Sequence, residues 1–220
     1  LNIDKIWRKK AVKRIVKNLK NSETENLKTN SQILRFSDSQ IQENSQVLDV
    51  ACGTADSTIA LAKAGLPRVT GVDISEGMLK VGEKKIEELN LNSVISLKVD
   101  DCENLSFEDN TFDAAFIAFG IRNFEDKKKG LKELHRVLKP NGLLLILELS
   151  VPQNKILLSL YKLYFLHILP FIGKKISGDN KAYTYLPQSV INFPKPKDFL
   201  QTMEECGFND VRQKALTFGL

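Results

Sequence analysis

The sequence predicts an α/β fold built on a doubly wound, mostly parallel sheet. Three observations carry this reading. From Gln46 onward, short apolar runs alternate with segments of helical spacing. Two of those runs, Val47-Leu48-Asp49-Val50 and Val69-Thr70-Gly71-Val72-Asp73, carry an acid at their carboxyl end. A third, Leu143-Leu144-Leu145-Ile146-Leu147, is apolar throughout, as a strand buried on both faces should be.

The elements follow in order. Residues 5–20 have helical spacing, with Ile6, Val12, Ile15, Val16 and Leu19 apolar between lysines and arginines. Residues 20–45 are polar and predict an extended linker, with a short helix around Ser31–Phe36. The first region, 1–45, is thus a helix and a linker. Strands are predicted at 46–50, 68–72, 94–99, 112–118 and 142–149, and helices at 57–64, 76–89 and 126–138. Ser75 before Glu76 suits a helix N-terminus, where an acid complements the dipole. Lys139-Pro140-Asn141-Gly142 closes the third of those helices and turns the chain into the last strand.

Residues 155–176 form the most apolar stretch, but Lys162, His167 and Pro170 interrupt it. A helix covering the sheet's active edge, or lying on a membrane surface, fits better than a spanning helix. After a loop-rich, tyrosine-bearing segment, 197–206 reads as a helix and Val211–Phe218 as a strand cut short by the chain end. The second region, 46–220, is therefore one domain with a covering insertion at about 151–196.

Composition narrows the function classes. With 220 residues, 42% of them hydrophobic, the chain has a full core's worth of apolar side chains. The net charge of +5 is dispersed over Lys9, Lys10, Lys13, Arg14, Lys17, Lys20 and the short run Lys127-Lys128-Lys129. That is no nucleic-acid stripe; it reads as a solvated surface, with weak attraction to anionic lipid as second choice. Cys52, Cys102 and Cys206 show neither zinc spacing nor a disulfide framework, which suits a reducing compartment. His135 and His167 are the sole histidines, so no metal site is expected. No secretory signal opens the chain, whose abrupt start at Leu1 reads as the middle of something.

Two cofactor readings compete for the turn after the first strand. A dinucleotide cradle wants Gly-x-Gly-x-x-Gly, but here Gly53 stands alone, with Ala55 and Thr58 at the other two positions. S-adenosylmethionine asks for less, because it has no phosphate. The turn Ala51–Ala55 would approach its methionine part, with Asp49 near the ammonium. Asp73 would take both ribose hydroxyls through its two carboxylate oxygens. Helix capping or a surface position is the bland reading of either acid alone; their joint placement at successive strand ends speaks against it. Past the third strand, Asp101 with Cys102 would meet the adenine, and Asp100 is the neighbour with which Asp101 could exchange roles. After the fourth strand, Arg122 and Asn123 would orient a polar acceptor, or Arg122 would pair with an acid such as Glu148.

These residues carry a family resemblance. The chain resembles the ubiquinone/menaquinone-biosynthesis C-methyltransferases through Leu48-Asp49-Val50-Ala51-Cys52-Gly53-Thr54 and Gly71-Val72-Asp73-Ile74-Ser75-Glu76-Gly77-Met78-Leu79. It does so more specifically through Ala118-Phe119-Gly120-Ile121-Arg122-Asn123-Phe124 and through Ile176-Ser177-Gly178-Asp179 to Ala182-Tyr183-Thr184-Tyr185-Leu186-Pro187. The segments Arg136–Gly142 and Leu147–Ser150 add to it.

The resemblance implies a class I, Rossmann-like methyltransferase with a seven-stranded type of sheet, the last strand incomplete here. It implies S-adenosylmethionine as cofactor and C-methylation of a prenylated quinol, demethylmenaquinol to menaquinol, as the reaction. The family's cofactor positions fall on Thr54, Asp73 with its neighbour Ile74, and the Asp101-Cys102 pair, while a serine of some members falls on Ala118. Asp179 and Tyr183 are the preferred candidates for the base that activates the quinol, ahead of His167 and Tyr185. The family normally carries glycine at position 55; Ala55 narrows the allowed backbone there. A covering segment with a Tyr-Asp pair is expected before Leu1, and a final strand after Leu220. The implied location is the cytoplasm, with peripheral contact at the inner face of the membrane, and homo-oligomerisation stays open. Alternatives are a methyltransferase for another small molecule or a ubiquinone precursor, a nicotinamide oxidoreductase, and a non-catalytic cofactor-binding homologue.

Overall fold

The computed structural model describes residues 3–28, 44–150, 159 and 188–216. The chain divides into two compact units, Leu1–Leu147 and Glu148–Leu220.

The first unit holds five parallel strands, β1 (Gln46–Val50), β2 (Arg68–Asp73), β3 (Ile95–Val99), β4 (Phe112–Ala118) and β5 (Leu138–Leu147). Their order in the sheet is β3-β2-β1-β4-β5, with every neighbouring pair parallel. Helices α1 (Ile3–Lys28), α2 (Asp56–Lys63), α3 (Glu76–Glu88) and α4 (Lys127–Val137) accompany it. Val47, Leu48 and Val50 of β1 are fully buried, as are Ala114, Ala115, Phe116 and Ile117 of β4. Adjacent residues point to opposite faces of a strand, so both faces are covered, and this explains the unbroken apolar runs. The order reverses between β1 and β4. The loops after those two strands leave the sheet in opposite directions and open a crevice at its carboxyl edge.

Local chemistry sets the helix ends. The Ser75 hydroxyl accepts from the Met78 N–H at 3.4 Å, and Glu76 sits in the first turn of α3, as the sequence predicts. Asp126 caps α4 by accepting from the Lys129 N–H at 3.0 Å. In α1, Trp7, Ala11, Val12, Ile15 and Leu19 form the buried stripe, which packs on β4, β5 and α2.

In the first unit the structure corrects two expectations. The linker expected from residue 20 is replaced over 21–28 by helix, because α1 runs on to Lys28 through a segment without Gly or Pro. The predicted helix around Ser31–Phe36 lies outside the described residues. The strand expected at 142–149 is β5, which starts at Leu138 and ends at Leu147. The turn residues 139–142 are taken up inside it as an irregularity: Phe112 pairs with Leu138, and the ladder resumes with Ala114 against Leu143. Asn141, at φ 64°, makes the bend.

In the second unit, a helical turn at 188–192 precedes α5 (Pro196–Glu205), which has Pro at its start. Phe193 and Phe199 pack at 5.0 Å between ring centroids. The strand expected at Val211–Phe218 does not form over 211–216. Arg212, Gln213, Lys214 and Ala215 are exposed, and no strand among the described residues supplies a ladder for them. No described helix is long and apolar enough to cross a membrane.

Candidate active site

The turn joining β1 to α2 alternates into the left-handed region at Ala51 (φ 53°), Gly53 (φ 58°) and Ala55 (φ 63°). Two backbone bonds fold it, Cys52 N–H to Val72 C=O and Ala55 N–H to Cys52 C=O, each 3.0 Å. A side-chain acceptor locks it: Asp73 Oδ2 accepts from the Gly53 N–H at 2.8 Å. The other oxygen, Oδ1, accepts from the Ser75 N–H at 2.9 Å. Asp73 thus ties the ends of β1 and β2 together. A carboxylate has about four lone-pair sites, so acceptor capacity remains on both oxygens for a ligand's hydroxyls.

Asp49 is 1% exposed. Its Oδ2 accepts from the Thr58 hydroxyl at 2.6 Å. Its Oδ1 is buried with no hydrogen-bond partner among the described residues. Burial pushes the carboxyl up to about 7, against the Thr58 bond and the charge of Arg8, which favour the ionised form. A cation or N–H donor delivered to Oδ1 would relieve the orphaned acceptor.

Three residues that sequence reasoning did not single out as site residues surround this turn. Lys85 reaches back from α3 to Thr54 C=O and Thr54 Oγ1, both at 3.0 Å, and to Asp56 Oδ1 at 2.8 Å. Burial raises the Asp56 carboxyl, but the bonds and charges of Lys85 and Arg8 outweigh it and leave it below its ordinary value. Arg8 approaches Asp56 Oδ2 at 3.6 Å, and its guanidinium lies 5.5 Å from the centre of the Phe119 ring. Thr58 was visible in the sequence only as a failed glycine position. One helical turn into α2, it instead faces the acid nine residues before it.

On the β3 side the two acids divide their work. Asp100 Oδ2 accepts from both the N–H and the hydroxyl of Ser106, at 3.2 and 2.5 Å. Asp101 is exposed and accepts from the Glu103 N–H at 2.9 Å. Beside it, burial first, then Asp101 and Glu103, push the Cys102 thiol up to about 12. Three large apolar side chains at the same edge stay open to solvent: Ile74, Met78 and Val99. Ile74, 76% exposed directly after Asp73, offers a flat apolar rim beside that carboxylate.

After β4, half-buried Ala118 leads into Phe119 at φ 61°. A 3-10 turn at Ile121–Asn123 follows, in which Arg122 Nη1 donates to the Phe119 C=O. Asn123 is exposed and Arg122 half-buried. Asp49, Gly53, Thr54, Asp73, Ile74, Asp101, Cys102, Ala118, Arg122 and Asn123 all lie at the carboxyl ends of β1 to β4 or in the turns that follow them. Asp179 and Tyr183, with His167 and Tyr185, lie outside the described residues. Among the described residues, no group of three or more His, Cys, Asp or Glu is placed to hold a metal.

A turn with one glycine, closed by the next strand's acid, is not a pyrophosphate cradle. With the 3-2-1-4-5 sheet it belongs to the class I methyltransferase type. The chain belongs to the ubiE/COQ5 methyltransferase family, whose model matches residues 1–220. A demethylmenaquinone methyltransferase of Bacteroides fragilis is 44% identical over 176 residues, which are 80% of this chain and 72% of that protein. The ubiquinone/menaquinone biosynthesis C-methyltransferase UbiE of Geotalea daltonii is 38% identical over 221 residues, covering 99% of this chain and 83% of that one. Among solved structures, Haemonchus contortus phosphoethanolamine N-methyltransferase 2 in complex with S-adenosyl-L-methionine superposes with a TM-score of 0.57. At 22% identity, over 86% of this chain and 37% of that one, this likeness is one of fold alone.

Proposed function

We propose that this chain is an S-adenosylmethionine-dependent C-methyltransferase acting on a prenylated quinol, taking demethylmenaquinol to menaquinol. The orphaned Oδ1 of buried Asp49 carries the cofactor reading, because it is an acceptor in want of a cation at the crevice between β1 and β4. The residues present fit the cofactor: Asp49 for the ammonium, Asp73 for the ribose hydroxyls, and Ile74 with the Asp101-Cys102 segment for the adenine. The names of the relatives at 38–44% identity support the quinol as substrate.

When bound, S-adenosylmethionine supplies an electrophilic sulfonium methyl group. The chain's own task is positioning. Thr54 and Gly53 hold the methionine end through a turn braced by Lys85. Arg122 and Asn123, on the 3-10 turn past β4, orient the quinol's oxygens. Asp179 and Tyr183 remain the proposed groups for removing the quinol hydroxyl proton, which places negative charge on the ring carbon.

Incubation with methyl-labelled cofactor and demethylmenaquinol tests this. Label is expected in the organic phase, in a product one methyl heavier than the substrate. Tight cofactor binding without transfer to any quinol would overturn the substrate assignment, and failure to bind the cofactor would overturn the whole reading.

A further inference from the structure

Among the described residues, the acceptor Asp49 Oδ1 and the donor Arg8 Nε are buried side-chain atoms of opposite polarity without a hydrogen-bond partner. Unpaired buried polar atoms are uncommon and call for a reason. A ligand that brings both a cation and an anion would satisfy the two together.

The placement of Arg8 favours this. Its side chain spans the crevice, from Asp56 after β1 to the Phe119 ring after β4. Those are the loops that diverge where the strand order reverses. The aromatic face of Phe119 pre-orients the planar guanidinium, and Trp7, one residue earlier on α1, packs against the same ring at 6.4 Å. The pairing with Asp56 leaves Nε without a hydrogen bond among the described residues. Lys85 makes the short contact to Asp56, at 2.8 Å, whereas Arg8 stands at 3.6 Å, beyond hydrogen-bond length. Asp56 therefore takes its hydrogen bond from Lys85, and Arg8 meets it as a charge at longer range. That charge is also felt at Asp49, where it favours the carboxylate.

The amino-acid end of S-adenosylmethionine is a zwitterion. We infer that Arg8 of α1 binds its carboxylate through Nε and a terminal nitrogen, while Asp49 takes its ammonium, so that α1 is part of the cofactor site; this rests on the cofactor reading above. The competing role is a strap, in which Arg8 only fastens α1 to the turn at Asp56.

Calorimetry with two ligands separates the roles. S-adenosylhomocysteine carries the carboxylate; its decarboxylated counterpart keeps the adenosine, thioether and ammonium and lacks it. Wild-type protein should prefer the first by about tenfold or more, as for a charge-assisted pair. Arg8→Gln should weaken S-adenosylhomocysteine by about that factor and change the decarboxylated ligand by less than twofold. Arg8→Lys keeps the charge without the fork and should show an intermediate preference; it serves if the glutamine variant does not fold. Equal losses for both ligands, or no loss for either, would overturn the assignment. Wild-type protein that binds neither ligand would overturn the cofactor reading with it.

Discussion

Thr58 Oγ1 donates to Asp49 Oδ2 at 2.6 Å, a hydrogen bond to a carboxylate that is 1% exposed. The helix that follows the β1–α2 turn therefore reaches back to hold the acid near the end of β1. The bond favours the ionised form; burial opposes it and wins.

Asp49 makes the ligand-free protein sensitive to pH in a defined direction. Its carboxyl titrates near 3.8 when unfolded and near 7 when folded, so the folded state holds the proton more tightly. The stability this contributes is fully present below pH 4 and is lost as pH rises through 7. Asp49→Asn should thus match wild type near pH 4 and gain between pH 4 and 7. Above pH 7 its advantage should level off, at roughly 3–4 kcal/mol or less. Thermal denaturation across pH checks this. Saturating S-adenosylhomocysteine should reverse the order at pH 8, because only the aspartate can pair with the ligand's ammonium.

Ala55 and Gly82 predict a coupled pair. Ala55 holds φ 63° with its methyl fully buried, and a β-carbon at Gly82 would lie 3.0 Å from that methyl. Ala55→Gly relieves about 1–2 kcal/mol of left-handed strain. It also gives up about 0.8 kcal/mol of burial and frees the unfolded chain by a further 0.4–1 kcal/mol, so alone it should be close to neutral. Gly82→Ala gains helix propensity of about 1 kcal/mol but crowds both the Ala55 methyl and the flexible end of Leu97, each at 3.0 Å, and Ala55→Gly removes the first of these contacts while Leu97 must shift for the second. It should destabilise wild type and stabilise the Ala55→Gly background, a coupling of about 1 kcal/mol or more in urea denaturation. Simple additivity would remove Ala55 from contact with α3.

The legible part of this site was what strands impose. An acid at a strand's carboxyl end is visible as a residue type at a register position, and that is what makes Asp49, Asp73 and Asp101 candidates. Thr58, Lys85 and Arg8 are not visible that way, because their partners stand 9, 29 and 48 residues away and meet only after packing. The Pro140-Asn141-Gly142 turn was read correctly as a bend in the chain. That it bulges within β5 instead of preceding it depends on the register with β4, which no local signal encodes.

Asp73 is predicted to serve two purposes that one substitution separates. Asp73→Ala removes the acceptor for both the Gly53 and Ser75 N–H groups along with any ribose contact. It should weaken S-adenosylhomocysteine by roughly 1.5–3 kcal/mol and lower Tm. Asp73→Asn keeps the shape but has one oxygen, so one of the two N–H groups loses its acceptor, at about 1–3 kcal/mol of stability. If Asp73→Asn binds S-adenosylhomocysteine as wild type does, the ribose assignment fails.

Arg136 supplies the contrasting case of a motif residue that is structural. It lies in the Arg136–Gly142 segment of the family resemblance, yet its side chain points into the β3–β4 connection. Nη1 donates to the Phe107 C=O and Asp109 Oδ1, and Nη2 to the Leu105 C=O and Glu133 Oε2, at 2.7–2.8 Å. Glu133 Oε2 in turn accepts from the Leu105 N–H at 2.9 Å. The bond from Arg136 holds the Glu133 carboxyl below its ordinary value, and Glu133 and Asp109 raise Arg136. An ammonium cannot reproduce this planar fork, because its three donors radiate from one atom. Arg136→Lys should therefore cost about 1–3 kcal/mol of stability in denaturant titration. The affinity for S-adenosylhomocysteine should stay within twofold, since none of these partners is among the residues proposed to hold the cofactor. A larger change in affinity than in stability would extend the proposed site from Asp101-Cys102 to the Leu105–Asp109 part of the same connection.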